Sequence, residues 1–330
     1  MENAVRRIGV LTSGGDAPGM NSAIRAVART CVSRGIECVG IRRGFNGLIN
    51  GDATMLDYAK VSGLSRMGGT MLYSARSDEF RTEAGMQKAV NTCKLLGLDG
   101  VVGIGGDGTF RGLHDLSKHG IAVVGIPGTI DNDIACSSYT IGYDTACNTA
   151  VECIDRLRDT MQSHERCSVV EVMGHRAGHL ALYVGLACGA TAVLIPEKEV
   201  DFEADVIEPI RRARLVGTTH YMIIAAEGVG SSYDVAQRIR DEVALDTRVT
   251  VLGHIQRGGA PSARDRVNAA HMGYSAVMLL AEGKTDRVVC RQNDQYLDYD
   301  IDEALSMKKG IDEDKYTVMR TLIGQNTWKK

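Results

Sequence analysis

The 330-residue sequence has little of what marks several broad classes of protein. It holds no run of about 18 apolar residues, the length a helix needs to cross a bilayer. Residues 1–7 contain no apolar stretch of the kind a secretory signal carries. No membrane association and a cytoplasmic location are the resulting expectations. Net charge is only -3, from 38 basic and 41 acidic residues, so neither nucleic acid nor an anionic surface is a general partner. The nine cysteines (Cys31, Cys38, Cys93, Cys136, Cys147, Cys153, Cys167, Cys188 and Cys290) are odd in number and include no CxxC pair. That argues against zinc and against a disulfide framework, and for reduced, mostly buried thiols. Low-complexity linkers and short repeats are absent too, so composition marks no domain boundary.

What is present is glycine, 38 residues against 5 prolines, which suits a fold with many tight strand-to-helix turns. A chain of this length fits two α/β domains at roughly 100 to 200 residues each. Apolar runs of strand length alternate with segments of helical period, the pattern of parallel βαβ units. Strands are expected at residues 8–12, 38–41, 101–104, 121–126, 168–172, 192–195, 221–226, 249–252 and 288–290. Helices are expected at 20–34, closed by Gly35, and at about 145–162. In parallel sheets ligands gather at the carboxyl ends of strands, so the loops there are where chemistry is sought.

Four such loops stand out. Residues 13–19, SGGDAPG, follow a strand and open a helix, where unpaired N–H groups and the helix dipole favour a phosphate. Residues 105–109, GGDGT, set Asp107 among glycines that let a nucleotide approach the backbone. Asp107 reads either as a turn residue or as a carboxylate for Mg²⁺, which in phosphoryl transfer uses one or two carboxylates plus phosphate oxygens. Residues 127–133, PGTIDND, place Thr129, Asp131 and Asp133 on one side if the chain is extended. A hydroxyl with two carboxylates suits proton removal from an attacking alcohol. Residues 253–259, GHIQRGG, carry His254 and Arg257, both able to grip a phosphate monoester. Arg76 in a polar loop, Arg166 after a long helix and Arg248 before a strand read equally as surface charge or as ligand cations, and Arg25 and Arg29 share one face of the first helix, which reads equally as a solvated surface.

Together, in this order and spacing, these loops resemble the bacterial-type ATP-dependent 6-phosphofructokinases over nearly the whole chain. The GGDGT element alone is also similar to NAD kinases and diacylglycerol kinases, which lack the PGTIDND and GHIQRGG loops. The resemblance implies two Rossmann-like three-layer α/β lobes with a cleft between them. Residues 1–141 plus 255–305 would form the ATP lobe, and 142–254 plus 306–330 the sugar-phosphate lobe. It implies a glycolytic kinase moving the γ-phosphoryl of ATP to the 1-hydroxyl of fructose 6-phosphate. Gly15, Arg76, Ser77, Gly106, Asp107, Gly108 and Thr109 would hold ATP, with Asp107 serving Mg²⁺. Asp131 would be the base, Asp133 would orient the reacting groups, and Thr129 would bind the transferring phosphoryl. Thr129, Ile130, Asp131, Met173, Gly174, His175 and Glu227 would meet the sugar. His254, Ile255, Gln256 and Arg257 would bind the same substrate, with His254 and Arg257 gripping its 6-phosphate. Arg166 and Arg248 would reach in from a neighbouring subunit, which implies a homo-oligomer, in this family a tetramer.

Pyrophosphate-using relatives carry Asp where Gly108 stands and Lys where Gly128 stands, so both positions read as ATP-type. The family pattern has Arg directly after the Met-Gly pair; here His175 stands there and Arg176 follows. Arg25, Arg29 and Arg158 match the family's effector cluster. Its remainder is changed: Tyr58 replaces an Arg, Thr191 a Glu, and Thr218 and Thr219 replace basic residues. The expectation is allosteric control that is weakened or that answers to another ligand.

Overall fold

The computed structural model describes residues 5–324. Residues 1–4 and 325–330, the first residues read for a signal and the end of the expected sugar-phosphate lobe, lie outside the described residues. The strands are β1 (Arg7–Thr12), β2 (Glu37–Ile41), β3 (Ala53–Leu56), β4 (Gly100–Gly105), β5 (Ala122–Thr129), β6 (Ile141–Gly142), β7 (Cys167–Val172), β8 (Ala192–Leu194), β9 (Tyr221–Ala226), β10 (Thr247–Val251), β11 (Arg287–Gln292) and β12 (Gln295–Asp300). The helices are α1 (Met20–Ser33), α2 (Phe45–Asn50), α3 (Glu83–Leu95), α4 (Asp107–Ser117), α5 (Tyr143–His164), α6 (His179–Cys188), α7 (Glu208–Leu215), α8 (Ser232–Val243), α9 (Ala263–Ala281), α10 (Ile301–Ser306) and α11 (Glu313–Leu322).

The chain divides into two α/β units. One comprises Met1–Ile130, Ile134–Thr145 and Arg257–Lys309; the other comprises Asp131–Asp133, Ala146–Gln256 and Gly310–Lys330. In the first, the sheet runs β12-β11-β5-β4-β1-β2-β3, with β6 beside β5. Its centre is parallel, and the edge pairs β2–β3 and β11–β12 are antiparallel. Alternation along the strands sends side chains to two faces. A Cβ on Gly103 would meet Leu113 of α4 at 2.7 Å, and one on Gly125 would meet Phe110 of α4 at 2.7 Å. On the opposite face a Cβ on Gly100 would meet Leu280 of α9 at 3.0 Å. Helices therefore cover both sides and make three layers, with α1 packed so closely on α9 that a Cβ on Gly273 would lie 2.7 Å from that of Ala26. The α4 side forms one core, from Leu11, Val39, Val101 and Val123 through Phe110 and Leu113 to Ile301.

The second unit has an all-parallel sheet, β10-β7-β9-β8. Its core joins Val169, Ile223 and Leu194 to Val206, Ile210, Ala236 and Ile239. All nine cysteines are free thiols, and all but Cys153 are buried. Burial pushes the Cys93 and Cys167 thiols up to about 12, which keeps them protonated and inert at neutral pH. No described helix is long and apolar enough to cross a membrane.

Two expectations are corrected by the folded chain. The PGTIDND segment is not a loop from Pro127 onward. β5 continues through Thr129, because Gly105 pairs with Pro127 while Ile141 and Gly142 pair with Gly128 and Thr129. Nor is it extended through Asp133, because Asn132 has φ 52, a left-handed backbone that breaks the period-2 alternation between Asp131 and Asp133. Likewise Asp107 and Gly108 belong to the first turn of α4, whose N-cap is Gly106.

Candidate active site

Within the first unit, strand order reverses between β1 and β4. The chain leaves β1 for β2 on one side, and β4 lies on the other. Such a switch point leaves a crevice at the carboxyl ends of the strands, and two of the four loops meet there. The Ser13 N–H donates to the Ile104 carbonyl at 3.1 Å, and the buried Thr109 hydroxyl donates to the Ser13 carbonyl at 3.2 Å. Gly14 (φ 84) and Gly19 (φ 109) make the left-handed bends of the first loop. Gly15 is required for another reason: the Arg257 guanidinium lies on it, and a Cβ would sit 2.6 Å from Nη1. Arg257 Nη1 donates to the Asp16 carbonyl at 3.1 Å, so the structure sets this arginine against the first loop.

At the head of α4 a Cβ on Gly106 or Gly108 would meet nothing within 4 Å. That open flank lies at a helix N-terminus, where the first N–H groups have no partner within the helix, the environment of a bound phosphate. Gly128 differs, since a Cβ there would press on Ile104 at 3.0 Å and Met20 at 3.2 Å. Its smallness is a packing requirement as well as the donor signal expected from the resemblance. Among the described residues no group of three or more His, Cys, Asp or Glu side chains could hold a metal ion. A single carboxylate, Asp107, flanked by two glycines with open space beside them, fits Mg²⁺ that takes most of its ligands from phosphate and water.

Arg76 and Ser77 follow a loop that polar side chains hold in place, a function sequence reading missed. Asn21 donates to the Met67 and Gly68 carbonyls at 3.2 and 3.0 Å and accepts from the Met71 N–H at 2.7 Å. Thr12 donates to the Tyr73 carbonyl at 2.8 Å, and Asn46 donates to that of Arg76 at 3.2 Å. The only sequence sign of this was polar residues at positions 12 and 21, where apolar ones would be expected in a buried strand and helix. Arg76 is exposed, and Ser77 caps the next turn through the Phe80 N–H at 3.2 Å. After β5 the chain presents Thr129 (8% exposed), the buried Ile130, Asp131 (9%) and a half-buried Asp133.

In the second unit, the carboxyl ends of β7, β9 and β10 gather a further set. Glu227 accepts the N–H groups of Gly174 and His175 at 3.2 and 2.6 Å, fixing the segment Met173–Gly174–His175, where His175 has φ 56 and an exposed side chain. The Leu252 N–H donates to the Glu171 carbonyl at 3.0 Å, bringing the 3-10 turn Gly253–Arg257 to the same end. Its His254 and Ile255 are exposed and Gln256 is fully buried. Arg166 and Arg248 are not part of this gathering. Arg166 precedes β7 and Arg248 is second in β10, at the amino ends of strands whose carboxyl ends carry Met173 and Leu252. The six residues of β7 separate Arg166 from Met173, roughly 20 Å at about 3.3 Å per residue. Both arginines are held by one carboxylate, with Asp246 at 2.6 Å from Arg166 Nε and 3.1 Å from Arg248 Nε.

The effector candidates fall in different units, Arg25 and Arg29 in the first and Arg158 in the second. Arg29 lies over the Tyr58 ring at 4.1 Å, so Tyr58 covers a guanidinium where the family pattern has a second cation. Arg158 donates to the Cys188 carbonyl and lines a cavity of about 700 Å³ with Thr191, Thr218 and His220 among mostly apolar neighbours.

Two glycine-rich loops meeting at a switch point, one of them opening a helix beside an unfilled flank, are the architecture of an α/β phosphate-binding protein. The phosphofructokinase family model matches residues 7–280. The chain is 51% identical over 318 residues to the ATP-dependent 6-phosphofructokinase of Clostridium novyi (strain NT), covering 96% of this chain and 99% of that protein. It is also 51% identical over 319 residues to the enzyme of the same name from Clostridium botulinum (strain Loch Maree / Type A3), again 96% and 99%. Among solved structures, phosphofructokinase from Saccharomyces cerevisiae superposes with a TM-score of 0.86 at 32% identity. It covers 97% of this chain, which spans 47% of the yeast one. The chain belongs to the phosphofructokinase family.

Proposed function

We propose that this protein transfers the γ-phosphoryl group of ATP to the 1-hydroxyl of fructose 6-phosphate, giving fructose 1,6-bisphosphate and ADP, as a glycolytic enzyme. The observation that carries the donor assignment is the open flank at Gly106 and Gly108 on the head of α4, which leaves room for a nucleotide. ATP lies along the SGGDAPG and GGDGT loops with Arg76 and Ser77 at its margin, and the α4 N–H groups hold its phosphates. Mg²⁺ bound by Asp107 and phosphate oxygens would neutralise charge on the donor. Asp131 accepts the proton of the 1-hydroxyl as that oxygen attacks, Asp133 orients it, and Thr129 hydrogen-bonds the moving phosphoryl. Met173, Gly174, His175 and Glu227 bind the sugar, while His254 and Arg257 take the 6-phosphate. An aldolase-coupled assay with fructose 6-phosphate and Mg²⁺ gives turnover with ATP and none with pyrophosphate. Activity with pyrophosphate alone would overturn the donor assignment. ADP added at low fructose 6-phosphate leaves the rate nearly unchanged, because Tyr58 covers Arg29 and the cavity beside Arg158 is mostly apolar. Strong activation by ADP would refute that part.

The active assembly is a homo-oligomer, supported by the position of Arg166 and Arg248 at the end of the second unit's sheet remote from Met173 and Glu227. A neighbour's sugar site is the place where they act. Mixing inactive Asp131→Ser protein with inactive Arg248→Ala protein and letting subunits exchange then restores part of the activity, because each supplies what the other lacks. No recovery after proven exchange would place both groups in one chain's site.

A further inference from the structure

Asp265, in the first turn of α9, is fully buried and has no part in the chemistry above. Its Oδ1 accepts the Gly142 N–H at 2.7 Å and the Tyr139 hydroxyl. Its Oδ2 accepts the Thr145 N–H at 2.9 Å and the Thr145 hydroxyl. A buried carboxylate with four donors is well compensated, and all four come from one short segment, residues 139–145. That segment is a strap across the end of β5. Its Ile141 and Gly142 pair with Gly128 and Thr129, and the Thr140 hydroxyl donates to the Thr129 carbonyl at 2.7 Å. The strap is also wedged against the first phosphate loop. Gly142 has φ 107, and a Cβ on it would lie 2.6 Å from that of Ala17 and 3.3 Å from Ile130 Cγ2. A Cβ on Gly19 would lie 2.6 Å from Ile141 Cγ2.

We infer that Asp265 is a positioning residue for phosphoryl transfer. By pinning the strap it fixes the carboxyl end of β5, from which Thr129 and, two residues on, Asp131 emerge, at a set spacing from the loop that receives the donor. The inference rests on the reading of Asp131 as base. A residue that only stabilised the fold would lower the amount of active enzyme. One that sets this spacing lowers kcat and leaves substrate affinity alone, because binding tolerates a displacement that in-line attack does not.

Asp265→Asn removes two acceptor sites while keeping the volume. The expected result is a kcat about 10- to 100-fold lower, with KM for both substrates within about twofold, in protein that melts cooperatively. Thr140→Val is the gentler variant, losing one hydrogen bond to the Thr129 carbonyl, with kcat down about fivefold at unchanged KM. Unchanged kcat in Thr140→Val and in folded Asp265→Asn, or losses that only track the folded fraction or fall on KM, overturns the inference. If Asp265→Asn does not fold, Thr140→Val decides alone. Asp131→Ser run in parallel separates the two levels: full activity there defeats the base assignment itself, whereas its silence beside active strap variants defeats only the positioning role.

Discussion

Asp131→Ser lowers kcat by about 10²- to 10⁴-fold, the usual contribution of a general base, while KM for ATP and fructose 6-phosphate changes little. Asp131 is 9% exposed and follows a strand end that the strap holds through Thr129. The smaller serine therefore leaves its surroundings standing. It keeps a hydroxyl but has no group basic enough to take the sugar's proton at neutral pH. Steady-state kinetics with both substrates varied, on protein shown to melt like the parent, make the measurement. A variant retaining most of its kcat would move the base elsewhere, Asp133 being the nearest carboxylate along the chain.

Gly108→Asp separates folding from donor use in the opposite way. Position 108 lies in the first turn of α4, where an added Cβ would have nothing within 4 Å. Replacing a helical glycine, and adding an acidic group near the helix N-terminus, both favour the folded state slightly. The melting temperature accordingly stays level or rises. For ATP the same carboxylate is a like charge beside the phosphates. At about 4 Å and an effective dielectric constant near 20 the repulsion is about 4 kcal/mol, or roughly a thousandfold in kcat/KM. A variant as stable as the parent and equally active with ATP would show that the nucleotide does not pass the head of α4.

The four loops were legible because each combines glycine with residues whose chemistry is specific, and each follows an apolar run that reads as a buried parallel strand. The edge strands were not. β3 and β12 are mostly half-buried or exposed, so neither forms the continuous apolar run by which central strands are recognised. The bend at Asn132 had a signal, since asparagine tolerates the left-handed region, but two flanking aspartates suggested a regular alternation. Asp265 was concealed by its own context. Ser262 precedes it by three residues and accepts its N–H at 3.2 Å, so the sequence reads as a helix cap, and only the tertiary fold turns the carboxylate onto residues 139–145. Gly15 was expected to hold ATP, and its contact with Arg257, more than two hundred positions along the sequence, lies beyond any local pattern.

The way the two units divide the chain also bears on the order in which they are completed during synthesis. Nearly all of the second unit lies in one run, Ala146–Gln256, whereas the first waits for Arg257–Lys309. β11, which pairs with Val124 and Gly125 of β5, and α9, which covers Gly100, both belong to that late segment. Until it leaves the ribosome, β5 has an open edge and the apolar residues Val123, Val124 and Ile126, fully buried in the finished protein, lack part of their cover. An uncapped strand of this composition is a template for pairing with other chains. The first unit, which carries the two glycine-rich loops at the switch point, thus keeps an open sheet edge until Arg257–Lys309 has been made, and over that interval the nascent chain offers β5 to other strands.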